Sequence, residues 1–219
     1  AQTAGTSFNV TVNAVDANWN PLGSIYEVVG LTSSDANASL SANTALLGGT
    51  ASLSVTPLTA GSATVTAKDI TDISKASNTS PGIAIAAGPF ARLQLLVPGE
   101  TAAPGTATGK TGSPLQEIAG EYFAVTVNAV DPNWNKVVTA ADVISLASSD
   151  AAAVLPASTS LVAGTQNLNV TLNTLGSAPL TASDVSDGTK LASGSPAITV
   201  AAPLYTAATG GAAISADTT

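Results

Sequence analysis

The sequence predicts an all-β chain of two tandem β-sandwich domains, and three observations predict it. The first is alternation. In FNVTVNAVD, Phe8, Val10, Val12 and Ala14 fall on one face, with Asn9, Thr11 and Asn13 on the other. That is the period-two pattern of a half-buried strand. The second is punctuation: Gly, Asp, Asn and Pro separate such runs about every 8–12 residues, as in an all-β sandwich. The third is an internal repeat. Residues 4–20 (AGTSFNVTVNAVDANWN) match residues 119–135 (AGEYFAVTVNAVDPNWN), 115 positions further on. The same spacing carries Ser33-Ser34-Asp35 onto Ser148-Ser149-Asp150, and Gly61-Ser62-Ala63 onto Gly176-Ser177-Ala178. No gap is needed from Ala4 to Ala87, and roughly half of those positions are identical, a tandem duplication at domain scale.

The elements follow in order. After the Phe8 strand, TASLSVTP turns Leu53 and Val55 inward, matched by Leu168 and Val170. GSATVTAKD reads as one strand with Ala63, Val65 and Ala67 inward, and GIAIAAG gives Ile83 and Ile85, matched by Ile198 and Val200. The second copy has a long leader before its Phe123 strand. Within it, ARLQLLVP is the most apolar strand candidate in the chain and is expected to open domain two. The first copy has only AQTAGTS before Phe8, so domain one is expected to lack its first strand and to leave an open sheet edge. The expected boundaries are 1–88 for domain one, 89–202 for domain two with its leader strand, and 203–219 for a C-terminal tail. By the repeat spacing this tail occupies the position of the leader's start, which makes it a candidate donor strand. Leu204, Tyr205 and Ile214 are its large apolar residues and its candidate assembly contacts.

The stretches VTVNAVDANWNPLG and GGTASLSVTPLTAGSATVTAKD resemble the bacterial immunoglobulin-like domains of invasin- and intimin-type surface proteins. Those domains carry a turn of the V-x-D-x-N-G-N-P type after an early strand, and a late strand pair rich in Gly, Ala, Val and Thr. The resemblance covers about 85 residues of each copy. It implies two immunoglobulin-like β-sandwiches, displayed outside a bacterial-type cell, in modules that serve as stalks, adhesins or filament subunits. This sequence departs from the pattern by placing Trp19 and Trp134 where the turn usually has Gly.

Composition removes several function classes. The net charge is −8, with six Lys and Arg in 219 residues, too few for a stripe that tracks phosphates, so no nucleic-acid partner is expected. An acidic surface is repelled by anionic membranes, and no apolar run approaches the roughly 18 residues of a membrane helix. Neither His nor Cys is present, which removes Ser-His and Cys-His nucleophile pairs and the commonest transition-metal ligands. No catalysis and no cofactor are expected. The chain does not begin with Met, which suits a mature secreted product or a fragment.

Calcium is the sharpest chemical candidate. Asp16, Asn18 and Asn20, and equally Asp131, Asn133 and Asn135, stand at alternate positions. Glu27 and Asp142 stand at the twelfth position, counted inclusively, echoing the ligand order of an EF-hand loop. Against it, Pro21 and Lys136 occupy the sixth position, where such a loop needs Gly. The competing reading is an Asx-type turn, in which Asp and Asn bond nearby backbone amides. Asp35, Asp69 and Asp72, with Asp150, Asp184 and Asp187 in the second copy, form a second acidic candidate, against which stand solvated loop ends. Trp19 and Trp134 recur with the domain period, so they are expected at repeating domain–domain or subunit–subunit contacts; the alternative is that each indole folds back over its own sandwich end. The expected function is a structural filament subunit whose partners are copies of itself. The alternative is a stalk or binding module of an adhesin facing a host or glycan surface.

Overall fold

The computed structural model describes residues 1–204, and every regular element among them is a strand. The chain is two immunoglobulin-like β-sandwiches in series, and no sheet takes strands from both. In the first, Phe8–Asn13, Thr50–Thr56 and Ser39–Leu40 form one face. The other face is Thr44–Ala45, Val28–Ser33, Val65–Asp69 and Asn78–Thr79. The second sandwich repeats these registers 115 residues on: Phe8 opposes Val55 as Phe123 opposes Val170, and Val29 opposes Asp69 as Ile144 opposes Asp184. In each, a short strand near the start pairs in parallel with the last strand, Gln2–Thr3 with Ile83–Ala86 and Glu117–Ile118 with Thr199–Ala201.

GSATVTAKD is two strands, not one. Gly61–Ala63 pairs with Ile83–Ala86, while Val65–Asp69 crosses to the opposite sheet and pairs with Val28–Ser33. Ala63 and Val65 are both buried in spite of the break, because a strand that switches sheets at a sandwich corner keeps its inner face.

The two cores differ. In the second sandwich nineteen buried residues make one continuous cluster, with Leu93, Leu95, Val125, Val127 and Ala129 no more than 1% exposed. In the first, only seven do, and Phe8, Val10, Val12 and Ala14 are half-buried at its margin. The difference is Arg92–Leu96. This strand pairs along its whole length with Tyr122–Val130. Its other edge exchanges backbone bonds with Leu191 (Leu93 N to Leu191 O 2.9 Å, Leu191 N to Ala91 O 3.2 Å), and Leu95 N donates to Ser193 Oγ at 3.0 Å. It therefore closes the gap between the two sheets. The leader then folds back as a hairpin, Glu100–Ala102 with Lys110–Gly112, tied by a Lys110–Glu100 ion pair of 2.8 Å.

Candidate functional site

Two features stand out, an open slot and a docked turn. The slot lies in the first sandwich where Arg92–Leu96 lies in the second. Among the described residues no strand fills it, and a groove of about 880 Å³ remains. One rail is the edge of Phe8–Asn13, the other the 76–78 segment, and Val10, Val12, Ala14, Val29, Leu31, Val65 and Ala67 form the floor. The counterparts of this floor in the second sandwich are Val125, Val127, Ala129, Ile144, Leu146, Leu180 and Ala182, which pack with Leu93 and Leu95. Trp19 stands at one end of the groove, 69% exposed. Of the tail residues expected to assemble, Leu204 is 92% exposed; Tyr205 and Ile214 lie outside the described residues.

The turn is built alike in both copies. Asp16 Oδ1 accepts the backbone N–H of Asn18 (2.8 Å) and Asn20 (2.9 Å), and Oδ2 accepts Asn20 Nδ2 (2.9 Å). Asp131 accepts from Asn133 N, Asn135 N and Asn135 Nδ2 at 2.8–3.2 Å. The Asn20 side-chain amide, then the Asn20 and Asn18 backbone amides, hold the Asp16 carboxyl below its usual range. A carboxylate ringed by N–H donors is an Asx turn, and those donors repel a cation. The twelfth-position residues do not join it. Glu27 faces Asp69, whose hydrogen bond is the first cause that holds its pKa above the usual value. Asp142 lines a cleft of about 710 Å³ between the domains, with Lys136, Asp187 and Lys190. The second acidic candidate is also dispersed. Asp35 accepts Leu58 N, Thr59 N and Asn37 N, whereas Asp69 caps the 71–72 turn. No group of three acidic side chains converges as a metal site among the described residues.

Both tryptophans sit at positive φ, 64° for Trp19 and 68° for Trp134, the left-handed region that Gly adopts without steric cost. Such a conformation costs a bulky residue about 1–2 kcal/mol. What offsets it is visible only at Trp134, and it is not a contact with the first domain, as the repeat led us to expect. The indole is half-buried under its own leader hairpin. Gly109, at φ 75°, lies so close that any side chain there would strike the ring. Arg92 stacks 4.6 Å from the ring centroid, and Nε1 donates to Ala107 O at 3.3 Å. The expectation of a domain–domain contact for Trp134 gives way to the second alternative, an indole folded back on its own domain. The hairpin also covers a buried polar pair. Asn128 Nδ2 donates to Gln94 Oε1 at 3.0 Å, and Gln94 Nε2 to Gly109 O at 2.7 Å.

Asn135, one position on from the tryptophan, does meet the first domain. Its Nδ2 donates to Leu58 O at 2.9 Å, and its Oδ1 accepts Ala60 N at 2.7 Å. Gly88 N also donates to Asp131 Oδ2 (2.7 Å) and Asn37 Nδ2 to Pro104 O (3.3 Å) across the same junction, while Gly105 N to Asn133 O (2.7 Å) ties the leader to the turn within the second domain. The turn of one domain thus plugs into the 58–60 loop of the domain before it.

No family model matches the chain, and no curated protein matches it. Similar solved structures include the D0-D1 domain of intimin, with 11% identity and TM-score 0.36, covering 91% of this chain and 93% of that one. A C-terminal 282-residue intimin fragment in complex with the intimin-binding domain of the translocated intimin receptor has 18% identity and TM-score 0.32. That match covers 90% of this chain but 61% of the fragment. Domains 5-6 of the S-layer protein SbsC have 22% identity and TM-score 0.30, with 91% of each chain covered.

Proposed function

We propose that this chain is a structural subunit of an extracellular, cell-surface filament that assembles head to tail. The C-terminal tail of one copy, residues 203–219, enters the slot in the first sandwich of the next. The slot carries this reading. It is a groove with an apolar floor, bounded by a strand edge that no strand pairs among the described residues. The equivalent place in the second sandwich, 115 residues on, holds the strand Arg92–Leu96. Strand addition of this kind supplies backbone hydrogen bonds along the edge and side chains for alternate pockets. A contact between two different surfaces of the same molecule repeats without limit unless its rotation closes a ring.

The tail is a modest donor. The repeat spacing aligns Ala208 and Gly210 with Leu93 and Leu95, so most of its adhesion comes from backbone pairing. A strand of that kind exchanges, and a second contact is needed to hold the joint. The test is assembly of the full chain against a chain shortened by residues 203–219, followed by negative-stain imaging and sedimentation. Linear polymers from the full chain and monomers from the shortened one are expected. A peptide with the sequence of residues 91–97, flanked by lysines for solubility, should bind the slot and cap growth. Polymers of unchanged length after the deletion would sink the reading.

The alternative is a stalk or binding module of a cell-surface adhesin, facing a host or glycan surface. The hydrogen-bonded junction at Asn135 favours it, since it fixes two sandwiches in a defined array. A chain that stays monomeric and binds such a surface would select this alternative.

A further inference from the structure

The junction within the chain has two halves, and each half occurs once more with no partner among the described residues. The turn half is Asn135 pinned by Asp131. The loop half is 58–60, pinned by Asp35 through Leu58 N (2.8 Å) and Thr59 N (3.0 Å). A single side-chain amide there reads one carbonyl and one N–H two residues apart, as a neighbouring strand would. Both groups it reads belong to the backbone, so the contact does not depend on which side chains the loop carries.

The spare turn is residues 16–20. Asn20 Nδ2 rests on Asp16 Oδ2 at 2.9 Å, the posture that Asn135 adopts on Asp131, yet Asn20 is exposed whereas Asn135 is 1% exposed. The spare loop is 173–175. Asp150 pins it through Asn173 N (2.7 Å), Thr174 N (2.9 Å) and Thr174 Oγ1 (2.6 Å). Among the described residues neither Asn173 O nor Leu175 N is hydrogen-bonded, and Leu175 is 53% exposed.

We propose that these halves meet between copies. The 16–20 turn of one chain docks on the 173–175 loop of another, with Asn20 Nδ2 donating to Asn173 O and Leu175 N donating to Asn20 Oδ1. The inference rests on the head-to-tail reading and adds a second contact to it. The two contacts belong to one rigid relation. Within the chain, the segment leaving Ile83–Ala86 runs directly into Arg92–Leu96, and that course places the Asn135 turn on the 58–60 loop. A tail that leaves Thr199–Ala201 along the same course into the slot of the next copy brings Asn20 to the 173–175 loop.

The joint between copies is weaker than the one within the chain, for two chemical reasons. Gly88 N, which donates to Asp131 Oδ2, corresponds to Pro203, which has no N–H. Asn37, which donates to the Pro104 carbonyl, corresponds to Ala152, which has no side-chain donor.

The experiment is sedimentation velocity with amide hydrogen exchange on the full chain, its Asn20→Ala and Asn20→Asp variants, and the chain shortened by residues 203–219. The wild type should gain protection at the Leu175 amide and in residues 16–22 as concentration drives association. Both variants should associate on the order of tenfold more weakly, the loss of one to two hydrogen bonds, and the thermal unfolding of each monomer is read alongside, since both lose the Asn20 Nδ2 bond to Asp16 Oδ2. Asn20→Asp keeps the acceptor, loses the donor and sets a carboxylate against Asp16, so wild-type affinity in that variant would overturn the proposal, and weaker association counts for it only where Asn20→Ala, which adds no charge, weakens association as well. Polymers that show no protection at Leu175, or Asn20→Ala assembling with the wild-type constant, would also overturn it, while protection of Phe8–Asn13 lost on tail deletion would leave the strand reading standing. The converse pattern, turn protection unaffected by tail deletion, keeps this contact and removes the strand. A chain that stays monomeric at every concentration overturns both.

Discussion

Replacing each tryptophan by glycine separates what the left-handed turn costs from what the indole contributes. At φ 64° and 68° the replacement relieves roughly 1–2 kcal/mol of backbone strain and loses about 0.5–1 kcal/mol to the greater freedom of the unfolded chain. At Trp19 little else changes. The indole is 69% exposed, so Trp19→Gly should leave the monomer within about 1 kcal/mol of wild type. At Trp134 the ring is half-buried beneath the leader hairpin. Returning about half of its ~200 Å² to water at about 25 cal/mol per Å² costs about 2.5 kcal/mol. The Arg92 stack adds about 0.5–1 kcal/mol and the Nε1–H bond to Ala107 O about 1 kcal/mol. After the relieved strain is subtracted, Trp134→Gly should cost about 3 kcal/mol, or about 12–20 °C in the Tm of a domain this size. Scanning calorimetry of the dilute, monomeric full chain reads both numbers. Equal shifts for the two variants, or an unshifted Trp134→Gly, would refute the claim that the hairpin is what holds a strained tryptophan in place.

Three further outcomes are expected. Leu95→Ala removes a fully buried side chain and should destabilise the second sandwich by about 3–4 kcal/mol, whereas Val12→Ala, which faces the open slot, should cost under about 1 kcal/mol in the monomer; urea unfolding reads both. The Thr174 side chain and then its backbone N–H hold the Asp150 carboxyl well below the usual carboxylate range. Its stabilising contribution is therefore complete above the unfolded value of about 3.9 and disappears as pH falls further, so Asp150→Asn should be less stable at pH 7 and flatter between about pH 4 and 2 in denaturant titrations. Millimolar calcium should move the Tm by less than about 1 °C, because both turn carboxylates already face N–H donors; a larger rise would select the calcium reading over the Asx turn.

The parts of the fold legible in the sequence are those that follow from burying one face of a strand. Val10, Val12, Leu53 and Val55 alternate because their neighbours face water, and Leu93 and Leu95 mark the strand that seals the second core. The break at Thr64 left no mark, since Ala63 and Val65 stay buried on either side of it. Val28–Ser33 and its counterpart Val143–Ser148 left a weaker mark, because apolar residues fall on both faces, Val28 beside Val29 and Val143 beside Ile144, and blur the alternation. The 100–112 hairpin reads as a Gly- and Thr-rich loop; its reasons, the Lys110–Glu100 pair and the tryptophan beneath Gly109, are long-range. Asn135 was hidden for a different reason. It reads backbone atoms of Leu58 and Ala60, which have no side-chain signature. The available clue was the Asn-Trp-Asn triplet, identical in both copies, with a tryptophan where the turn favours glycine.

The asymmetry between the copies bears on function more than either copy does alone. Two turns of nearly identical sequence have opposite fates, one at 1% exposure at its asparagine and the other exposed, and nothing in the turns accounts for it. What differs is the cover: among the described residues a preceding domain, a sealing strand and a hairpin lie against the second turn, and none of them against the first. An open strand edge over a half-buried apolar stripe invites indiscriminate pairing, and a tryptophan at positive φ without a partner keeps its strain. Both costs fall on the first sandwich, at adjoining places. The chain already contains, in its own second half, the arrangement that removes them both.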